Sequence, residues 1–196
     1  MTRTFIALDL SEAAREALRR ELRRLAQALP NVRLVDQASL HLTLAFLGEL
    51  DDDALAAVIQ ITSDVARPSA PFDLTLTGLG VFGPPSAPRV IWAGVGGDIH
   101  PLLALQRRLA DALEAHGFPR EARPFSPHLT LARLKRPLDD AAYLRLRGLL
   151  AGPPPRRTTR WRVSDLRVMR SDVAADGARY TALSVAPLEG KRDASK

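Results

Sequence analysis

The sequence contains no cysteine in its 196 residues. Disulfide bonds, thiolate metal ligands and cysteine nucleophiles are therefore excluded. No apolar run approaches the roughly 18 residues that a membrane-spanning helix needs. The segment from Met1 to Phe5 leads straight into a strand-like pattern and lacks the apolar core of a secretory signal. We therefore expect a cytoplasmic protein without a membrane partner.

Lysine is scarce and arginine is abundant. Only Lys135, Lys191 and Lys196 occur, so all but three of the 28 basic residues are arginines. The net charge is +6 and the isoelectric point is about 10.6. Arginine binds phosphate through planar, bidentate contacts, but a plain compositional bias toward arginine gives the same numbers. The charge alone therefore only favours a phosphate or nucleic-acid ligand.

Strand-like and helical patterns alternate along the chain. Ser11 is a candidate N-cap of a first helix whose arginines, Arg15 among them, are expected largely toward solvent. The apolar stripe of this helix consists of Leu18, Leu22, Leu25 and Leu29. Further helices are predicted from Asp51, Leu102 and Asp139. The predicted strands are Arg3–Asp9, Val32–Val35, His41–Leu47, Phe72–Leu79, Arg89–Val95, His128–Leu134, Trp161–Met169 and Arg179–Val185.

The two halves of the chain match at a nearly constant offset. Features at Arg3, His41, Asp51 and Phe72 recur 86 to 88 positions later, at Arg89, His128, Asp139 and Arg160. This pattern predicts an internal duplication of a strand–helix–strand–strand–helix–strand unit. We expect one α+β domain over residues 1–190, with two pseudo-twofold-related lobes at roughly 1–80 and 89–186. A polar tail is expected at 191–196.

A five-residue repeat lies inside this duplication. The segment from His41 to Ala45, HLTLA, recurs unchanged from His128 to Ala132. On a strand, side chains alternate between faces, so the leucines point to the core while the histidine and threonine of each copy share the opposite face. If the lobes face each other, two imidazoles and two hydroxyls converge in one basic cleft.

Such a cluster suits acid–base chemistry on a phosphate. One neutral and one protonated imidazole can serve as general base and general acid, and hydroxyl groups can hold phosphate oxygens. The spacing lacks the His-plus-carboxylate pattern of zinc sites, so no metal ligand is predicted. One such motif alone is usually the polar face of a strand, whereas two copies in a duplicated unit are far more specific. The other histidines, His100 and His116, are predicted to be structural or surface residues.

The paired motifs resemble those of the two-histidine phosphoesterase superfamily, and within it the 2′-5′ RNA ligase (LigT-like) family of RNA 2′,3′-cyclic phosphodiesterases. The resemblance covers most of the chain, in the blocks from Arg3 to Leu8, His41 to Glu49, Arg89 to Val95 and Arg123 to Arg133. It implies two lobes with antiparallel sheets flanking a central cleft and helices on the outer faces. It also implies hydrolysis of an RNA or nucleoside 2′,3′-cyclic phosphate to a 2′-phosphomonoester, without a cofactor.

The resemblance carries roles onto six residues. His128 is expected to activate water, His41 to protonate the departing 3′-oxygen, and Thr43 and Thr130 to grip the phosphate. The two histidine roles are interchangeable on the sequence alone. Arg133, five residues after His128, matches a phosphate-contacting arginine of the family, and Phe46 holds the equivalent place after His41 and could stack on a base. Strand alternation puts both on the leucine side unless the strand bulges, and core packing is the alternative for Phe46.

Other functions stay open at this stage. The same site could join a 2′,3′-cyclic end to a 5′-hydroxyl, or the chain could bind RNA ends without catalysis, or act as a metal-dependent nuclease. The arginine-rich stretch from Arg156 to Arg170 could follow an RNA backbone, although the solvated face of an edge strand, with Trp161 and Val163 packed inward, is favoured. We expect a monomer without an obligatory protein partner.

Overall fold

The computed structural model describes residues 1–84, 87–152, 159–174 and 177–191. Its helices are α1 (Glu12–Ala28), α2 (Asp52–Ala66), α3 (Ile99–Ala115) and α4 (Asp140–Leu150), with one 3₁₀ turn at Gln37–Ser39. Its strands are β1 (Thr2–Leu8), β2 (Leu42–Leu50), β3 (Phe72–Phe82), β4 (Val90–Gly97), β5 (His128–Arg133), β6 (Arg160–Val163), β7 (Asp165–Ala174) and β8 (Gly177–Pro187). The tail predicted at 191–196 lies outside the described residues after Lys191.

The strands form two antiparallel sheets of four, which confirms the predicted α+β class. The first sheet has the order β2-β1-β7-β8 and the second the order β5-β4-β3-β6. The sheets do not follow the two halves of the sequence, because β3 joins the second sheet while β7 and β8 join the first. In these orders β3 and β7 hold equivalent places, whereas the sequence offset had paired Phe72 with Arg160 of β6.

One predicted strand was wrong in its extent. The segment Trp161–Met169 was expected to be continuous, but it divides into β6 and β7 at Ser164. β6 pairs with β3 and β7 pairs with β1, so the chain passes from one sheet to the other at this residue. The buried apolar residues are Trp161 and Val163 in β6 but Leu166 and Val168 in β7, so the alternation changes phase between the two strands. This change of phase marks the break at Ser164, but it does not show which strand each part pairs with.

The helix starts follow from capping side chains. Ser11, Asp51 and Asp139 each accept a hydrogen bond from a backbone N–H three residues later, which satisfies a donor that the helix leaves unpaired. The leucine stripe of α1 is buried as predicted, and each fully buried leucine contributes about 1.5–3 kcal/mol. The expectation for Arg15 was wrong, because its side chain is only 20% exposed and forms an ion pair with Asp9.

The helices cover one face of each sheet. α2 contacts β1, β7 and β8 of the first sheet, α1 and α4 contact strands of the second, and α3 contacts both sheets. All four contribute to one continuous apolar core. The outward face of each sheet is left for the polar residues of the strands, including the two repeated motifs.

The sheets meet through the edge strands β2 and β5, which are in contact. The segment predicted as a strand at Val32–Val35 makes only a single bridge, from Leu34 to Ala132 of β5. The Val35 N–H donates to the Leu131 carbonyl at 2.8 Å. This short segment from the first half of the chain thus pairs with the edge of the second sheet at β5. Because the pairing consists of a single bridge, the prediction of a strand at Val32–Val35 was wrong.

Among the described residues, no helix combines the length and the apolar character that crossing a bilayer requires.

Candidate active site

Each repeated histidine stands at the beginning of an edge strand. His41 immediately precedes β2, and His128 is the first residue of β5. Because β2 and β5 contact each other, the fold brings the two motifs to one interface between the sheets. Both imidazoles are half-buried, so each keeps part of its ring open to a ligand.

Each imidazole is oriented by the backbone two residues before it. Nδ1 of His41 lies 2.7 Å from the Ser39 carbonyl oxygen, and Nδ1 of His128 lies 2.8 Å from the Ser126 carbonyl oxygen. Because a carbonyl oxygen can only accept, Nδ1 donates in both contacts. The Nε2 atom of each ring is then the one that exchanges a proton with a ligand.

Aromatic rings surround His41. The ring centres of Phe5 and Tyr180 lie 4.7 Å and 5.0 Å from that of His41. Phe46 packs beside Phe5 at 5.9 Å. These separations are those of favourable aromatic pairs, so the rings fix the plane of the imidazole.

His128 has an aromatic neighbourhood of its own. Phe82 packs edge-on at 4.8 Å, and Trp92 lies at 6.5 Å. Half of the ten aromatic residues of the chain thus surround the two histidines. Of these five rings, only Phe46 was predicted from the sequence to belong to the site. Aromatic residues make up only 5% of the composition, and this scarcity was the only hint in the sequence that the few present have a special place.

A bulge in each edge strand sets the direction of the fifth residue after each histidine. In the pairing of β2 with β1, Leu44 is skipped, and in the pairing of β5 with β4, Leu131 is skipped in the same way. A bulge inserts one residue and reverses the alternation beyond it. Phe46 is therefore 58% exposed rather than packed in the core, and Arg133 is exposed although it follows the buried Ala132.

Thr43 and Thr130 share the outward face of the histidine in their own motif. Both are half-buried, while the leucines between them and their histidines are fully buried. The structure thus brings the six predicted site residues to the outward side of β2 and β5. What each of them does there stays a prediction.

The pKa of His41 lies below its ordinary value. Burial is the largest cause, because it disfavours the charged imidazolium, and the positive charges of Arg133 and Arg15 act in the same direction. The hydrogen bond to Ser39 and the negative charge of Asp9 oppose the shift. Arg133 belongs to the other sheet, so its charge reaches His41 across the interface.

An ion-paired cluster holds the turn that carries Ser39. Arg15 donates to the carbonyl oxygens of Gln37 and Leu40 at 3.4 Å and 3.3 Å, and it also pairs with Asp9. Asp9 pairs in addition with Arg167 of β7. Sequence reasoning placed Arg15 on a solvated face, because the helix pattern does not reveal which loop packs against the helix.

No group of three or more His, Cys, Asp or Glu side chains that could hold a metal ion occurs within the described part of the chain. His100 and His116 are exposed at the two ends of α3, and Nδ1 of His116 lies 2.7 Å from the Ala112 carbonyl oxygen. Their exposure agrees with the prediction that they are structural or surface residues.

The arginine-rich stretch contains the edge strand β6 and the first part of β7, which is an inner strand of the first sheet. Trp161 and Val163 are buried, while Arg160 and Arg162 are exposed and both form ion pairs with Asp73. For β6 this matches the favoured interpretation of a solvated face of an edge strand, whereas Arg167 and Arg170 belong to the inner strand β7. Arg167 and Arg170 are also ion-paired, and Arg156 and Arg157 lie outside the described residues.

Comparison with known proteins gives relatives along most of the chain. An RNA 2′,3′-cyclic phosphodiesterase of Methanothermobacter thermautotrophicus is 33% identical over 183 residues, which cover 93% of this chain and 97% of that protein. One of Geobacillus stearothermophilus is 40% identical over 129 residues, 66% of this chain but only 41% of that longer protein.

Solved structures give the same result. TT0787 of Thermus thermophilus superposes with a TM-score of 0.80 at 31% identity and covers 97% of this chain and 100% of its own. LigT of E. coli, complexed with 3′-AMP, gives 0.76 at 29% identity over 95% and 98%. The family model of the 2′-5′ RNA ligase superfamily matches residues 7–175. This chain therefore belongs to the 2′-5′ RNA ligase superfamily.

Proposed function

We propose that the protein hydrolyses the 2′,3′-cyclic phosphate at the end of an RNA or on a nucleotide, and that it leaves a 2′-phosphomonoester. The observation that carries this proposal is the matched pair of imidazoles. Each donates through Nδ1 to a carbonyl and keeps Nε2 for a ligand, on two edge strands that touch. The names of the relatives agree with this chemistry.

The reaction needs one base and one acid on opposite sides of the phosphorus. Nε2 of His128 accepts a proton from water while the water oxygen forms a bond to phosphorus. The bond from phosphorus to O3′ breaks, and the Nε2–H of His41 gives its proton to O3′. Both protons then exchange with solvent, and the phosphate stays on O2′.

The lowered pKa of His41 bears on its role as the acid. In the free protein, burial and the charges of Arg133 and Arg15 hold the pKa of His41 down. The negative charge of a bound phosphate favours the imidazolium form of His41, so substrate binding raises this pKa again. An acid whose pKa is below its ordinary value also gives up its proton more readily to O3′.

Four further side chains bind the substrate in this proposal. The hydroxyl groups of Thr43 and Thr130 donate to non-bridging phosphate oxygens, and Arg133 offers a bidentate contact to the same group. The exposed ring of Phe46 stacks on the nucleobase, and its loss in Phe46→Ala should raise KM about 10-fold. All these groups come from one chain, so the proposal requires neither a metal nor a second subunit.

The test is incubation with an oligonucleotide that ends in a 2′,3′-cyclic phosphate, with and without EDTA. We expect a 2′-phosphomonoester at the same rate under both conditions. A 3′-phosphate product would show that O2′, and not O3′, is the leaving group. Loss of activity with EDTA would contradict the acid–base mechanism and indicate a metal-dependent one. Addition of an RNA with a 5′-hydroxyl shows whether the same site also joins ends.

A further inference from the structure

A cavity of about 230 Å³ opens beside His41 on the outward face of the first sheet. Its floor is formed by small or flexible apolar side chains of three strands, Ala7, Met169 and Ala182, and one wall by the ring of Tyr180. The volume is below the roughly 300–1,000 Å³ of sites for drug-sized ligands. It therefore suits one planar ring system rather than a whole nucleotide.

The charged residues in the wall of this cavity are ion-paired. They are Arg15, Arg167 and Asp9, and Asp9 pairs with both arginines while Asp165 pairs with Arg167. The two arginines of the lining are thus paired with two carboxylates, Asp9 in the lining and Asp165 behind it. Such a wall offers donors and acceptors whose charges are already paired, which suits the edge of a nucleobase better than a phosphate.

The register of β1 and β2 shows where the cavity lies relative to the proposed substrate. Phe46 is opposite Phe5, whereas the cavity begins at Ala7, opposite Thr43, and continues past His41 to Asp9. A ribose whose O3′ is at His41 thus has Phe46 on one side along the strand and the cavity on the other. The base and the 5′ carbon are attached to different atoms of the ribose and point in different directions. When the base stacks on Phe46, the chain that continues from the 5′ carbon is therefore directed toward the cavity.

We propose that this cavity binds the base of the penultimate nucleotide of an RNA chain, the one joined to the 5′ side of the terminal nucleotide that carries the cyclic phosphate. The inference rests on the proposed function, and it makes an RNA end, rather than a free cyclic mononucleotide, the better substrate. Tyr180 supplies the stacking surface, and the Asp9–Arg15–Arg167 wall meets the polar edge of the base.

Three substrates test the proposal: a nucleoside 2′,3′-cyclic phosphate, a dinucleotide with the same cyclic end, and that dinucleotide without its first base. We expect kcat/KM of the complete dinucleotide to exceed that of the other two about 10-fold, the order expected for one stacked base. An equal advantage for the abasic dinucleotide would overturn the assignment to a base and favour contact with the linking phosphate.

Filling the cavity with a large side chain should remove the higher kcat/KM of the dinucleotide. Ala182 is exposed at the cavity floor, so Ala182→Trp can be accommodated while it occupies the space. We expect the ratio of kcat/KM between dinucleotide and mononucleotide to fall to about one. Thr181→Trp, on the other face of the same strand, is the matched control and should keep the wild-type ratio. A wild-type ratio in Ala182→Trp would overturn the proposal.

Binding measurements separate this inference from the proposed reaction. Calorimetry with a dinucleotide and a mononucleotide that each carry a 2′-phosphate needs no turnover. Tighter binding of the dinucleotide, lost in Ala182→Trp, supports the cavity even if hydrolysis is absent, in which case the proposed reaction alone fails. Equal binding of the two nucleotides by the wild-type protein would overturn the proposal that the cavity binds a base. If the protein still hydrolyses the cyclic mononucleotide, the proposed reaction stands.

Discussion

His41 and His128 share the same Nδ1 contact but differ in what stands behind them. Gly94 of β4 lies opposite His128, and the equivalent place in the first sheet, two residues beyond the pair of Ala7 with Thr43, is Asp9. Asp9 and its partner Arg15 both act on the charge of His41. One imidazole of the repeated motif thus lies beside an ion-paired cluster, whereas the other lies opposite a glycine that carries no charge. This difference gives the two rings a physical basis for different roles.

Substitution of either histidine should remove one limb of the pH profile. We expect His41→Ala and His128→Ala each to lower kcat/KM by at least about 100-fold, the low end for loss of acid–base catalysis. In the residual activity, His41→Ala should lose the limb on which the rate falls as pH rises, because the acid must be protonated. His128→Ala should lose the opposite limb. Exchange of the limbs would exchange the roles of the two residues.

Removal of the Arg133 charge should raise the pKa of His41. NMR titration of the imidazole should give a value below 6.5 in the wild-type protein and a higher one in Arg133→Met, because the guanidinium disfavours the imidazolium. Arg136→Met is a control that changes the net charge equally, from an exposed position outside the motif. An unchanged His41 titration in Arg133→Met would contradict the placement of Arg133 near His41.

The same shift links His41 to stability. Since the folded protein binds this proton less tightly than the unfolded chain, the free energy of unfolding loses a contribution as pH falls from about 6.5 through the lower pKa of the folded state. The contribution is fully present above pH 6.5. In His41→Gln this part of the pH dependence should disappear from thermal melts.

At the scale of elements, periodicity predicted most of the fold but not the bulges. The leucine stripes of α1 and α3 and the caps at Ser11, Asp51 and Asp139 follow local rules, so they could be derived from the sequence. The bulges at Leu44 and Leu131 depend on the partner strand, and no local pattern marks them. The direction of Phe46 and Arg133 therefore had to come from the structure.

The turn at Gln37–Ser39 gives α1 a role in positioning His41. Loss of the Arg15 side chain in Arg15→Met removes two hydrogen bonds to this turn, and the Ser39 carbonyl then orients Nδ1 of His41 less well. We expect kcat for a cyclic mononucleotide to fall about 10- to 100-fold, as small misplacements of catalytic groups do, while KM changes little. Arg19→Met is the matched control on the same helix, because Arg19 forms ion pairs with Glu12 and Glu16 of α1 itself. Equal losses in both variants would assign the effect to general destabilisation.

Across the whole molecule, the exchange of strands ties the two halves together. β3 of the first half pairs with β4 and β6 in the second sheet, while β7 pairs with β1 in the first. Sequence offsets indicated the duplication but not the exchange, because pairing between distant strands leaves no local trace. Neither half can complete its sheet alone, so the two sheets should unfold as one unit.

A substitution in the first sheet should therefore be detected from the second. Both tryptophans, Trp92 and Trp161, belong to the second sheet, so fluorescence reports its unfolding. Leu8 of β1 is fully buried in the first sheet, and Leu8→Ala should cost about 2–5 kcal/mol. We expect the fluorescence and circular-dichroism transitions to shift together. A fluorescence midpoint that stays at its wild-type position would show that the sheets unfold separately.

The central claim is that both imidazoles act on one phosphate, and ligand titration of the two Nε2 signals by ¹⁵N NMR tests it most directly. A nucleoside 2′-monophosphate should shift the Nε2 resonances of His41 and His128 along one binding curve that saturates at one equivalent. Shifts in only one ring, or two curves with separate affinities, would contradict the account.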